Sequence, residues 1–131
     1  MMNDRPKNIS NKRILIVDDE LDMRNMMKWM LSLDAHEVVE ANNGAEAIMM
    51  FAQNHFDLVM TDYKMPFLTG SELAACIRQV APSKPILMVT GYFNSLGDST
   101  PVNAVLRKPF SVEMLRRAVS NLLSTAEGVA A

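Results

Sequence analysis

The strongest constraint on this 131-residue chain is a set of three short runs that are apolar without alternation: Ile14-Leu15-Ile16-Val17, Leu58-Val59-Met60 and Ile86-Leu87-Met88-Val89. A strand with one wet face alternates apolar and polar residues, whereas a strand covered on both faces does not. The runs therefore predict buried parallel strands over Arg13–Val17, Asp57–Thr61 and Pro85–Thr90. Two more strands are predicted at Glu37–Glu40, whose glutamates mark a sheet edge, and at Ala104–Arg107. Between the strands the period becomes helical. Met23, Met26, Met27, Met30 and Leu31 recur at helical spacing, as do Ala45, Ile48, Met49 and Ala52, then Leu73, Cys76, Ile77 and Val80. The last such set is Leu115, Ala118, Val119, Leu122 and Leu123, with Ser111 placed to cap its helix. Strands alternating with helices imply a doubly wound α/β domain with right-handed crossovers.

At this length the chain is one domain. Hydrophobic residues make up 49% and charged residues 21%, an ordinary globular balance that excludes disorder. The 13 basic and 15 acidic side chains leave a net charge of −2, and no basic stripe of the kind nucleic-acid binding needs. The single cysteine, Cys76, excludes an internal disulfide and a multi-thiolate metal site. No run is long enough to span a bilayer, and the polar start of the chain does not read as a signal peptide, so the expected location is the cytoplasm. The expected organisation is a flexible tail over 1–11, a folded unit over 12–124 and a second tail over 125–131. The stretch from Thr90 to Lys108 must hold both a connection and a strand. It contains Gly91, Gly97 and Pro101, so a short turn or irregular loop is expected there rather than a full helix.

In open α/β sheets, ligands bind beyond the carboxyl ends of the strands. The first strand delivers Asp18-Asp19 to that rim, the third Asp62, the fourth Thr90 and the fifth Lys108. Singly, each is an ordinary turn or surface residue; together they place three carboxylates, a hydroxyl and an ammonium on one edge. Three acids that close repel and require protonation or a cation. Oxygen ligands without histidine or cysteine select a hard ion, most simply Mg2+. Strand alternation lets Asp18 and Asp19 point differently, so that one could bind directly and the other through water. A carboxylate beside Mg2+, with an ammonium opposite, is suited to attack a phosphoryl group and form an acyl phosphate.

On these residues the sequence resembles the receiver domain of two-component response regulators. The matching segments are Ile14-Leu15-Ile16-Val17-Asp18-Asp19, then Asp62-Tyr63-Lys64-Met65-Pro66 with Gly70, then Val89-Thr90-Gly91, then Lys108-Pro109-Phe110. Their order and spacing match over about residues 12–124. The resemblance implies a flavodoxin-like (βα)5 fold, with five parallel strands in order 2-1-3-4-5 and helices on both faces. It implies that Asp62 is the phosphoacceptor, that Asp18 and Asp19 are the acid pair, and that Lys108 contacts the phosphate. It further makes Thr90 the switch hydroxyl, the backbone carbonyl of Lys64 a ligand of Mg2+, and the Lys108–Pro109 bond cis. The implied donor is a histidine kinase or histidine phosphotransfer protein. The output is contact with a downstream protein by a monomer or weak dimer, without direct DNA binding or membrane attachment. On this reading the chain is not an enzyme beyond its own phosphorylation and dephosphorylation. Family members often carry Tyr or Phe three positions before the lysine, where this chain has Val105; Thr90-Gly91-Tyr92 resembles a subset of stand-alone receivers.

Alternatives are a receiver excised from a hybrid histidine kinase or larger regulator, and an aspartyl-nucleophile phosphohydrolase. The second usually needs a carboxylate two residues after the nucleophile, where Lys64 stands, and a cap insertion that is missing. An unphosphorylated scaffold conflicts with the intact acid set, and a flavin binder with the lack of a phosphate loop after the first strand. Elsewhere, Cys76 reads as a small core residue, His36 and His55 as surface or capping groups, and most of the 12 methionines as packing. Trp29 falls off the apolar stripe of its helix, at the margin of a face that could dock the donor.

Overall fold

The computed structural model describes residues 9–92 and 100–126. In chain order the elements are β1 (Arg13–Val17), α1 (Leu21–Ser32), β2 (Glu37–Ala41), α2 (Gly44–Gln53), β3 (Leu58–Thr61), α3 (Gly70–Val80), β4 (Ile86–Thr90), β5 (Ala104–Arg107) and α4 (Val112–Ala126). The strands form one parallel sheet in the order β2-β1-β3-β4-β5, with β2 at an edge as its glutamates predict. Each apolar run feeds two cores. Ile14 and Ile16 pack with Leu31 of α1 and Leu115 and Val119 of α4, while Leu15 and Val17 pack with Ala47 of α2 and Leu73 and Ile77 of α3. Ile9 packs against the first of these cores. The expected loop between β4 and β5 falls largely on residues 93–99, which lie outside the described residues. Among the described residues no helix is long and apolar enough to cross a membrane.

The helix starts are chemically marked. Asn43 accepts the Glu46 N–H at 2.8 Å at the head of α2, and Thr69 and Glu72 form a reciprocal capping box on α3. Ser111 accepts the Met114 N–H at 3.1 Å, as predicted for the last helix. Gly70 is required by close approach: a Cβ there would lie 2.1 Å from the backbone oxygen of Asp62, and the Gly70 N–H donates to the Tyr63 carbonyl at 2.7 Å. The start of α3 is thereby pressed against the end of β3.

Several expectations fail on the helix faces. Cys76 is exposed rather than core, lining a shallow groove between α2 and α3 beside Ile48, Phe51 and Val80. Met26 and Val80, assigned to apolar stripes, are exposed as well, and so is the whole set assigned to α2, Ala45, Ile48, Met49 and Ala52, whose helix instead buries Gly44 and Ala47. A single sheet face covers a narrower arc of each helix than the i+3/i+4 pattern spans, and these residues fall on its flank. His36, read as a surface or capping group, does cap: its Nδ1 accepts the Lys12 N–H at 3.1 Å. Yet it is buried at the amino-terminal end of the sheet, and its Nε2 has no hydrogen-bond partner among the described residues. His55 is exposed and pairs with Asp57 at 3.1 Å.

Burial lowers the basicity of His36, outweighing the nearby Asp34 and Asp57 carboxylates, so the imidazole is held neutral below its ordinary value of about 6.5. A base whose folded pKa is depressed contributes stability above the unfolded pKa, and that contribution is lost as pH falls through and below it. Denaturant unfolding from pH 7.5 to 5 should show wild type losing stability below about pH 6.5. His36→Gln, which can still accept the Lys12 N–H, should show a flatter acid limb; parallel curves would refute this role for His36.

Candidate functional site

Sheet register brings the acids together. Val17 lies opposite Thr61 across the β1–β3 pair, so the next residue on each strand, Asp18 and Asp62, emerges side by side at the carboxyl rim. The Asp62 N–H donates to the Val17 carbonyl at 3.0 Å and extends the ladder to that point. On the other side Thr90 lies opposite Arg107, and the Lys108 N–H donates to the Thr90 carbonyl at 3.0 Å, which places Lys108 over the same rim. The Lys108–Pro109 peptide is cis.

The two carboxylates are held alike. Asp18 Oδ1 accepts the Glu20 N–H at 2.9 Å, and Asp62 Oδ1 accepts the Tyr63 N–H at 2.7 Å. Their Oδ2 atoms share one ammonium: Lys108 Nζ lies 3.1 Å from Asp62 and 3.4 Å from Asp18. All three side chains are largely withdrawn from water, Asp18 almost completely. Burial pushes the Asp18 carboxyl up, reinforced by Asp62, against the lowering effects of the Glu20 N–H and Lys108. Burial pulls Lys108 down, but Asp62 and Asp18 more than compensate, and its ammonium is held above the ordinary lysine value.

Beyond this trio the rim opens into a cleft of about 530 Å³ lined by Asp19, Glu20, Asp62, Lys64, Met65, Pro66 and Tyr92. Lys64 Nζ sits 5.0 Å from the centre of the Tyr92 ring and 3.3 Å from its hydroxyl, so the two side chains fence one side of the cleft. Thr90 is fully buried, and its hydroxyl oxygen accepts the Tyr92 N–H at 3.0 Å. Phe67, on the β3–α3 loop, is 92% exposed and holds a left-handed backbone at φ 72°.

Of the predicted site residues, Asp18, Asp62 and Lys108 are in mutual contact. Asp19 and Lys64 line the cleft, and Thr90 stands at the end of the adjoining strand. Sequence reasoning missed Glu20. Carboxylate oxygens of Asp18, Glu20 and Asp62 lie within 4.8 Å of one another, and Asp19 is not part of that group. The available signal was that Glu20 directly follows the acid pair; its contribution depends on the turn into α1, which no local pattern specifies. A set of hard, negatively charged oxygens converging at this distance, with no nitrogen or sulfur ligand among them, fits a cation such as Mg2+ after a small contraction.

A family profile described as the response regulator receiver domain matches residues 14–120. The chemotaxis protein CheY of Pseudomonas aeruginosa is 32% identical over 123 residues, covering 88% of this chain and 99% of that protein. The probable transcriptional regulator ycf27 of Cyanophora paradoxa is 34% identical over 127 residues, covering 91% of this chain and 51% of that protein. The chain thus spans about half the length of that relative. Among solved structures, the response regulator TrrA of Thermotoga maritima in complex with Mg2+-BeF superposes with a TM-score of 0.81 at 34% identity, covering 85% of this chain and 98% of that one.

Burial without full compensation makes the Asp18 charge a liability in the cation-free protein. Asp18→Asn keeps an acceptor for the Glu20 N–H and removes the charge. Its melting temperature without Mg2+ should rise by a few degrees, on the order of 1 kcal/mol in a domain of this size. The further rise that wild type shows on adding Mg2+ should shrink. A variant that melts lower without Mg2+ would contradict the electrostatic account of this cluster.

Proposed function

The chain belongs to the response regulator receiver family, and from that premise we propose that Asp62 takes a phosphoryl group from a phosphohistidine and that the phosphorylated chain signals through protein–protein contact. The observation that carries this reading is the Lys108 ammonium shared by the Oδ2 atoms of Asp62 and Asp18 at the heads of adjacent strands. A carboxylate so placed is desolvated, oriented by the Tyr63 N–H and backed by a fixed positive charge.

In the transfer step an Asp62 carboxylate oxygen bonds to phosphorus while the P–N bond to the donor imidazole breaks. The bonding pair leaves with the ring nitrogen, which takes up a proton, and an acyl phosphate remains on Asp62. Asp18, Asp19, Asp62 and the Lys64 backbone carbonyl would hold Mg2+, which when bound would neutralise the phosphoryl oxygens. Lys108 keeps its place beside Asp62 and donates to one phosphoryl oxygen. The Thr90 hydroxyl donates to another, while its oxygen can go on accepting the Tyr92 N–H. That hydroxyl, shared between the phosphoryl group and the Tyr92 N–H, couples phosphorylation to Tyr92 and to the connection that follows it. Val105, a short β-branched residue on β5, cannot swing as an aromatic ring would.

The donor would be a histidine kinase or histidine phosphotransfer protein. Trp29, 58% exposed on α1, which also exposes Leu21 and Met26, offers an aromatic anchor for its helices. The unit carrying this chemistry is residues 12–124, flanked by tails over 1–11 and 125–131. It would work in the cytoplasm as a monomer or weak dimer, whether alone or inside a larger regulator, and would catalyse nothing beyond its own phosphorylation and dephosphorylation.

Incubation with acetyl phosphate and Mg2+ should add one phosphoryl mass, seen by intact-mass spectrometry. Chelation of Mg2+ or Asp62→Asn should abolish the adduct. An adduct that persists on Asp62→Asn would refute the assignment. With a phosphohistidine donor in place of acetyl phosphate, Trp29→Ala should slow transfer while leaving the acetyl phosphate reaction at its wild-type rate; equal slowing of both would remove Trp29 from docking.

A further inference from the structure

Arg24 is the only arginine among the described residues that is buried. It lies on α1, one turn past Glu20, and its side chain turns back beneath the acid cluster. Its Nη1–H donates to the backbone carbonyl of Asp18 at 2.6 Å, and its Nε–H donates to Glu40 on β2 at 3.2 Å. Glu40 also pairs with Lys28, further out on the same helix, at 3.6 Å. The Arg24 N–H donates to the Glu20 carbonyl at 3.1 Å, while the Glu20 N–H donates to Asp18 Oδ1. The turn from Asp18 to Glu20 is therefore tied at both ends by one residue.

Withdrawing a guanidinium from water costs several kcal/mol, and a neutral donor would be enough to satisfy one strand-end carbonyl. What the charged, forked side chain adds is rigidity: it fixes the Asp18 carbonyl and the edge strand in one geometry. Given the reading of Asp18 and Asp62 as Mg2+ ligands, we propose that Arg24 is a positioning residue for that site. By holding the Asp18 carbonyl, it keeps the Asp18 and Glu20 carboxylates facing Asp62 before any cation arrives. It touches neither the cation nor the phosphoryl group. Glu40 serves as its counter-ion.

A role through charge alone makes the opposite forecast. Removing a nearby positive charge would strengthen Mg2+ binding, and stripping Arg24 of its counter-ion with Glu40→Gln would weaken it. Positioning predicts that Arg24→Met weakens Mg2+ binding and that Glu40→Gln changes it less.

The test is calorimetric titration of the intact chain with MgCl2, together with melting temperatures without Mg2+. Arg24→Met should raise the dissociation constant about tenfold, the usual scale for residues that orient metal ligands. Arg24→Lys can reach the carbonyl or Glu40 but not both, and should fall between wild type and Arg24→Met. Arg116→Met breaks the ion pair to Asp34 at the far end of the sheet; it should lower the melting temperature without changing Mg2+ affinity. Tight binding by Arg24→Met, at or above the wild-type affinity, overturns the proposal. If that variant does not fold, wild-type affinity in Arg24→Lys does the same. Wild type that binds no Mg2+ at all would overturn the metal-site reading and this inference with it, whereas binding by wild type with no change in the variants would overturn the inference alone.

Discussion

One ammonium holds the carboxyl rim of this sheet together. Lys108 lies within 3.4 Å of two carboxylates that parallel pairing forces side by side and that the fold removes from water. Each such contact is worth on the order of 4 kcal/mol at an effective dielectric near 20, set against desolvation of several kcal/mol per ion. That balance leaves the Asp18 charge incompletely compensated and depends on the Lys108 ammonium being in place. That requirement reaches outward: β5 must pair with β4 to deliver Lys108, and β1 must pair with β3 in the observed register to align Asp18 with Asp62. Gly70 must be a glycine for α3 to start against the Asp62 backbone.

The same arrangement explains why the cluster suits a transient charge. Burial, with Asp62 beside it, holds the Asp18 carboxyl above its ordinary range even with the Lys108 ammonium in contact. A divalent ion entering from the cleft would meet oxygens already gathered within 4.8 Å of one another. Thr90 adds a hydroxyl whose oxygen accepts the Tyr92 N–H, and a new acceptor on Asp62 would engage its O–H proton, joining the two sites through one group.

Much of this was legible in the sequence because strands announce themselves and their ends follow at once. Unalternating runs at Ile14, Leu58 and Ile86 encode burial on both faces, and Asp18, Asp62, Thr90 and Lys108 sit at the positions where those strands and the fifth run out. Glu20 and Arg24 were not legible, since their roles depend on how a turn closes and where a long side chain folds back. Cys76, Met26, Val80 and the α2 set Ala45, Ile48, Met49 and Ala52 were misplaced because helical periodicity marks an apolar arc without giving which part of it the sheet covers. His36 carried no pattern at all: its burial follows from the packing of the amino-terminal rim.

The central claim is that Lys108 is the internal counter-ion whose work a metal cation partly takes over. Thermal melting of Lys108→Met, with and without Mg2+, tests it most directly. Without the ammonium, two buried carboxylates are left facing one another, so the variant should melt several degrees below wild type in the absence of Mg2+. Mg2+ should then raise its melting temperature by more than it raises that of wild type. A variant that melts at or above wild type without Mg2+, or that gains no more from Mg2+ than wild type does, would contradict the account.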